Sequence, residues 1–403
     1  MDLRALAEEA ADYLEPLRSI RRDIHRRPET GLRLPNTLAR VLASLDGLGL
    51  ETRLSENISS AVVRIPGARP GPTVVLRADL DALALREDSG EEFASEIDGR
   101  MHACGHDLHA AIGVGAIHLL ATHSDRLAGE VLFLFQPGEE GDNGADAMLA
   151  EGALGLARGE LAGAYGVHVK TDYPVGVFAT RPGALMAGSA TLDVTLRGAG
   201  GHGSAPQLAL DPNQALAEIV TGLQTMVTRR FDVFDPVIVT VGWIRGGERG
   251  TNNVIPDTAS FGATVRTFSP RSLDLVERYS RELVQGIATA HGLRADIDFL
   301  SVTDPVLNDR HHADLAERVA IEMFGAERYS PMQSPIGGAE DFAAILHEVP
   351  GAFVFVGACP PELDPQTAPY NHSNLARFDD SVLPDAAAYL AALAFSRLDE
   401  LAG

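Results

Sequence analysis

Three short apolar runs constrain this chain more than any other feature: TVVLRADL ending at Leu80, EVLFLFQP ending at Pro137 and LAGAYGVHV ending at Val169. Helical patterns separate them, one from about Asp107 and a weaker one after Pro137, and this alternation is βαβ syntax. From about Gly188 the style changes. SATLDVTLRGAG alternates apolar with polar, a long helical pattern runs from Asp211 to about Arg230, and PVIVTVGWIRGG and TASFGATVRTF lead into another helix. After about Ala295 the first style returns, with the strand-like GAFVFVGA and a helix from Leu383. The expected architecture is α/β: a catalytic domain of residues 1–187 and 296–403, its mixed sheet flanked by helices, interrupted by a smaller α+β domain of residues 188–295. With 403 residues and 45% hydrophobic content the chain can bury a large core without staples.

Charge and cysteine usage narrow the function. Lys plus Arg number 33 against 56 Asp plus Glu, a net charge of −23. Such a surface repels phosphate backbones and anionic lipids, so neither nucleic acid nor a membrane is an expected partner. Cys104 and Cys359 are too few for a disulfide framework, which fits a reducing, cytoplasmic setting. Leu3, Leu6, Ala10, Leu14, Leu17, Ile20 and Ile24 recur at helical spacing with acids between them, an amphipathic helix rather than an apolar signal segment. No uncharged apolar run approaches the roughly 18 residues of a membrane span.

The chemistry-bearing residues cluster past the ends of the strand-like runs. Asp79 and Asp81 close the first, Glu139 and Glu140 follow the second, and His168 sits near the end of the third. Open α/β sheets bind ligands outside the carboxyl ends of their strands, which gathers these segments into one site. In MHACGHDLHAA, Cys104 and His106 stand two apart on the loop before a helix, where the helix N-terminus and a metal both favour thiolate. His102 and His109 nearby read as structural, and Asp107 as a helix cap. Thiolate, imidazole and carboxylate donors together suit zinc, manganese or cobalt rather than magnesium or calcium. Adjacent carboxylates repel unless a cation separates their roles. With Glu140 as a ligand, Glu139 is free to take a proton from an activated water and hand it to a leaving amine. Two divalent cations less a thiolate, a glutamate and a hydroxide leave a positive site suited to an oxyanion.

In the inserted segment, GAGGHGSAP sets His202 among glycines that permit close backbone approach to a ligand. Ser204 lacks the Gly-x-Ser-x-Gly elbow, because Pro206 stands where its second glycine belongs, so serine chemistry is discounted. Asn252 and Asn253 in TNNVIPD and Arg266 in GATVRTF are candidates to orient a carbonyl or carboxylate, and Glu340 in GGAEDF is a candidate cap.

HACGHDLHAA, QPGEEG, GVHV, GGHGSAP, NVIPD, GGAEDF and PYNHSN, in this order from about Arg21 to the C-terminus, resemble the metallopeptidase-like amidohydrolases that include bacterial aminoacylases, hippurate hydrolases and plant indole-acetyl-amino-acid hydrolases. QPGEEG and GGHGS are similar to the acyl-glutamine aminoacylase branch. The resemblance implies two divalent metal ions per chain, held by Cys104, His106, Glu140, His168 and His372, with Cys104 bridging both and Glu139 as general base. It also implies a zinc-peptidase-like catalytic domain, and a lid domain that forms a homodimer or higher oligomer. Its His202 and Asn253 would polarise the scissile carbonyl, in relatives across the dimer. Related peptidases have a ligand histidine where Asp79 stands. The expected reaction is hydrolysis of an N-acyl amino acid to a carboxylic acid and a free amino acid, with a dipeptidase or carboxypeptidase on the same machinery as the alternative.

Overall fold

A computed structural model describes residues 1–402, which divide into two compact units. The first comprises Met1–Leu185, Leu307–Ser334 and the chain from Asp341 onward. Its sheet has eight strands, in the order Glu51–Leu54, Ala61–Pro66, Glu130–Gln136, Thr73–Asp79, Leu161–Pro174, Gly351–Cys359, Phe178–Thr180 and Tyr329–Pro331. The four strands Glu130–Gln136 to Gly351–Cys359 run parallel, while Ala61–Pro66 and Phe178–Thr180 join them antiparallel. The sheet is therefore mixed. Parallel strands need crossovers, and the helix His106–Thr122 supplies the one between Thr73–Asp79 and Glu130–Gln136. Both of those strands are buried at every residue, which is why they read as continuous apolar runs.

The flanking helices bury apolar stripes against that sheet and one another. Leu3, Leu6, Ala10, Leu17, Ile20 and Ile24 of the N-terminal helical segments share one core with the helices His106–Thr122 and Leu383–Ala402. The N-terminal segment is also tied electrostatically. Arg21, 1% exposed, bonds Asp107 at 2.7 Å and Asp380 at 2.8 Å, and His25 Nδ1 lies 2.8 Å from Asp107. Loss of Arg21 would leave buried Asp107 with His25 alone, whereas Asp380 keeps Arg22 at 2.8 Å and Arg18 at 3.3 Å; breaking a buried pair by removing one partner costs about 3–5 kcal/mol. Asp107 thus docks the first turn of its helix onto the N-terminal helix instead of capping it; Gly105 occupies the N-cap position.

The second unit, Met186–Val306 with Pro335–Glu340, is a four-stranded antiparallel sheet in the order Val237–Gly246, Thr258–Thr267, Gly188–Arg197 and Arg294–Thr303. Strict alternation in Gly188–Arg197 turns Ala190, Leu192, Val194 and Leu196 inward, where they pack with Ile219 and Leu223 of the helix Pro212–Arg230 and Val276 and Val284 of Pro270–Ala290. Asp211 and Ser269 cap those helices through the backbone N–H groups of Asn213 and Ser272. The boundary expected at residue 295 cuts the strand Arg294–Thr303, which pairs along its length with Gly188–Arg197 and belongs to this unit. As an edge strand it keeps only partial burial, and so it lacks the apolar run that would have marked it. The return to the first unit falls at Leu307, and Pro335–Glu340, expected with the catalytic domain, groups with the second unit. Among the described residues, no helix is long and apolar enough to cross a membrane.

Candidate metal centre

Sheet register brings the candidate residues of the first unit to one edge. Asp79 lies opposite Gln136, and Arg77 opposite Gly166, so His168 comes level with the ends of the neighbouring strands. Beyond Gln136 the chain turns at Pro137 and Gly138. Gly138 has φ +72°, and a Cβ there would lie 2.5 Å from Leu32 Cδ2, so glycine makes this turn without the strain another residue would meet. Asp81 then fixes it: its two oxygens accept the N–H groups of Glu139 at 3.0 Å and Glu140 at 3.1 Å. Gly105, at φ +89°, separates Cys104 from His106, and a Cβ on it would meet Val169 Cγ2 at 2.4 Å.

The Cys104 sulfur is the hub. His168 Nε2 lies 3.3 Å from it and His372 Nε2 3.2 Å, while His372 Nε2 is also 3.1 Å from Glu140 Oε1. Ligand atoms of Cys104, His106 and His168 lie within 4.8 Å of one another, as do those of Cys104, Glu140 and His372. The tautomer of His168 is set by Nδ1–H donation to the Val169 carbonyl at 2.8 Å, which leaves the Nε2 lone pair facing the sulfur. His106 is fully buried with neither ring nitrogen hydrogen-bonded, the nearest carboxylates being Asp81 at 3.5 Å and Asp79 at 3.6 Å. Unbonded buried nitrogens are costly, and a soft thiolate among imidazoles and a carboxylate is the donor set of a borderline divalent cation. The residues therefore fit such an ion. Glu139 Oε2, 4.0 Å from His106 Nε2, belongs to neither Cys104 triad.

The electrostatics agree with that fit. Burial, reinforced by Glu140, pushes the Cys104 thiol up. Burial opposes protonation of His106, yet the charge of Asp79 outweighs it and holds the ring well above the usual histidine range. Hydrogen bonds to Cys104 and Glu140 raise His372 to about 10, whereas burial and His109 push His168 well below the ordinary value. Protons thus sit where a cation would displace them, since ligation needs thiolate and neutral imidazole.

Other candidates resolve differently. His109 Nε2 accepts the Val169 N–H at 2.8 Å, so its Nδ1–H donates to Asp79 at 2.5 Å, and both nitrogens are consumed. Asp79, held by Arg77 as well, serves this dyad. His102 is buried with neither ring nitrogen hydrogen-bonded and is pushed down to about 3 by burial, hence neutral. Asp341, not Glu340, precedes the helix Phe342–Glu348, and its side chain is engaged by Arg77, Gln136 and the Ala145 N–H. The Asp79–His109 and Asp81 pairings escape sequence reading because their partners lie 30 or more positions away. The one signal was the Asp-x-Asp spacing, which places Asp79 and Asp81 on the same side of the chain.

Within the second unit, His202 and Asn253 come together because Gly201–His202 pairs with Val254–Ile255 and the Gly203 N–H donates to the Asn253 carbonyl at 2.8 Å. His202 Nδ1 accepts the Ser204 N–H at 3.1 Å and lies 2.8 Å from Ser204 Oγ, so the ring carries its proton on the exposed Nε2. Arg266 sits on the strand Thr258–Thr267, bonded to Ser189, Thr264 and the Val265 carbonyl. Burial alone lowers its guanidinium, and among the described residues no carboxylate pairs with it.

The sequence model of peptidase family M20/M25/M40 matches residues 75–396. The chain belongs to this family. It is 34% identical over 394 residues to IAA-amino acid hydrolase ILR1-like 4 of Arabidopsis thaliana, covering 97% of this chain and 87% of that one. Thermostable carboxypeptidase 1 of Saccharolobus solfataricus is also 34% identical, over 84% of each chain. The crystal structure of the Bacillus subtilis YXEP protein, a dinuclear metal binding peptidase from the M20 family, superposes with a TM-score of 0.82 at 30% identity, covering 96% and 99% of the two chains. This M20-family chain is a metal-dependent hydrolase of amide bonds.

Proposed function

We propose that this M20-family enzyme hydrolyses N-acyl amino acids to a carboxylic acid and a free amino acid, using two divalent ions per chain, of zinc, manganese or cobalt. The observation that carries the reading is the Cys104 sulfur common to two donor triads, one with His106 and His168, the other with Glu140 and His372. Cys104, His106, Glu140, His168 and His372 would hold the cation pair, which would activate a water for attack and polarise a carbonyl oxygen. Glu139, outside both triads, takes the proton of the attacking water and returns it to the leaving amine. Asp81 fixes the turn that carries Glu139 and Glu140 by accepting both of their backbone N–H groups. His202, whose Nδ1 is occupied, donates from Nε2 to the developing oxyanion with Asn253 beside it. Arg266, a cation without an acid partner, takes the free carboxylate of the amino acid. The second unit acts as a lid and dimerisation domain, and the enzyme works in the cytoplasm as a homodimer or higher oligomer.

The test is a hydrolysis panel of acetyl-, benzoyl-, fatty-acyl- and indole-acetyl-amino acids beside dipeptides, run with zinc, manganese and cobalt and with a chelator. Turnover of acyl amino acids that the chelator abolishes is expected. Turnover restricted to dipeptides would favour the carboxypeptidase reading, which the Saccharolobus relative supports, and chelator-resistant turnover would exclude a metal mechanism.

A further inference from the structure

We infer that Asn371 is a positioning residue that locks three separate chain segments around the proposed metal centre. Its Nδ2 donates to the Val169 carbonyl at 2.9 Å and the Cys104 carbonyl at 3.2 Å, and its Oδ1 accepts the Thr171 N–H at 3.2 Å. One amide thus joins the loop bearing Cys104, the strand bearing His168 and the turn bearing His372. Every hydrogen-bonding direction is determined: two carbonyls demand a donor and one N–H demands an acceptor, a combination that aspartate and leucine lack.

The backbone beside it explains why such a lock is needed. His372 has φ +72°, one of only two non-glycine residues in the left-handed region among the described residues. It is the third residue of a turn closed by the Ser373 N–H on the Tyr370 carbonyl, a position that favours glycine or asparagine. A histidine persists in that conformation only where its surroundings over-determine it. The Ala103 carbonyl accepts the His372 N–H at 2.9 Å, and Asn371 supplies three further bonds immediately before it. Yet the His372 side chain is 54% exposed, so packing does little to hold it. Asn371 therefore helps keep His372 Nε2 within reach of Cys104 and Glu140, beside the bond that the His372 N–H makes to Ala103.

This inference rests on the proposed metal centre, and the two fail separately. The experiment titrates metal-free full-length protein with zinc, and separately with manganese, against a competing chelator. Partners of this kind typically change metal affinity 10–100-fold, so Asn371→Asp is expected to weaken binding by about that factor. Tyr370→Phe, which removes the 2.6 Å bond from Lys170 Nζ to the same turn, is expected to lower melting temperature without weakening metal binding. If Asn371→Asp does not fold, Asn371→Ala, where water can replace the amide, is expected to weaken binding in the same direction. Wild-type affinity in the folded variant, or equal weakening in Tyr370→Phe, would overturn the positioning role. Absence of divalent-metal binding by the wild type would overturn the metal centre itself.

Discussion

Asp81→Asn probes how the turn bearing the two glutamates is fixed, while nearly preserving volume. Asp81 is 1% exposed, and its oxygens accept N–H groups from Glu139 at 3.0 Å and Glu140 at 3.1 Å. Asparagine supplies one oxygen and one NH₂, so one backbone donor faces another donor and loses its bond. A hydrogen bond to a charged acceptor contributes about 1.5–3 kcal/mol. At about 1.36 kcal/mol per decade, full expression of that loss at the transition state is about a 10–150-fold drop in kcat. The assay is steady-state kcat and KM on an acyl amino acid, beside elemental metal analysis and a melting curve. The expected result is a fall in kcat with the fold retained. A kcat within about twofold of the parent, at full metal content, would refute the view that Asp81 aims Glu139.

Glu139→Gln should keep its metal yet lose about 10²–10⁴-fold in turnover, by elemental analysis beside kcat; loss of metal would show the two glutamates assigned the wrong way round. His202→Ala should lower kcat about 10²–10³-fold with metal intact. Mixing it with Glu139→Ala under subunit exchange should restore activity if His202 acts across a dimer, and no recovery despite exchange would confine it to its own chain. His312, 4% exposed with Nδ1 2.7 Å from Tyr165 Oη, is lowered to about 4 by burial and then by Arg397. The unfolded chain takes up that proton near pH 6.5 while the fold does not, so stability is full above 6.5 and falls as pH drops to about 4, by at most about 3 kcal/mol. His312→Gln should flatten that acid limb, read as urea midpoints at pH 7 and 4.5; an unchanged difference between the two pH values would show His312 uninvolved.

What sequence could reveal followed physical periodicity. Thr73–Asp79 and Glu130–Gln136 were legible because burial on both faces forces an unbroken apolar run, and Gly188–Arg197 because one buried face imposes strict alternation. The edge strand Arg294–Thr303 follows neither rule, and the domain boundary was misplaced there. Cys104, His106, Glu139, Glu140 and His168 stood out as candidates because each flanks such a run or opens a helix. His372 lies in a loop without periodicity, and only family resemblance singled it out. The roles of Asp107 and Asn371 depend on partners 86 and 202 positions away, Arg21 and Val169, which no local pattern encodes.

The proposed function turns on Cys104, whose sulfur is common to both donor triads. The direct measurement is the number of zinc or manganese ions bound per chain in the wild type and in Cys104→Ala, by elemental analysis after removal of free metal. About two ions are expected in the wild type and fewer in the variant, because both donor triads lose a member. Two ions still bound to folded Cys104→Ala would contradict this role of Cys104.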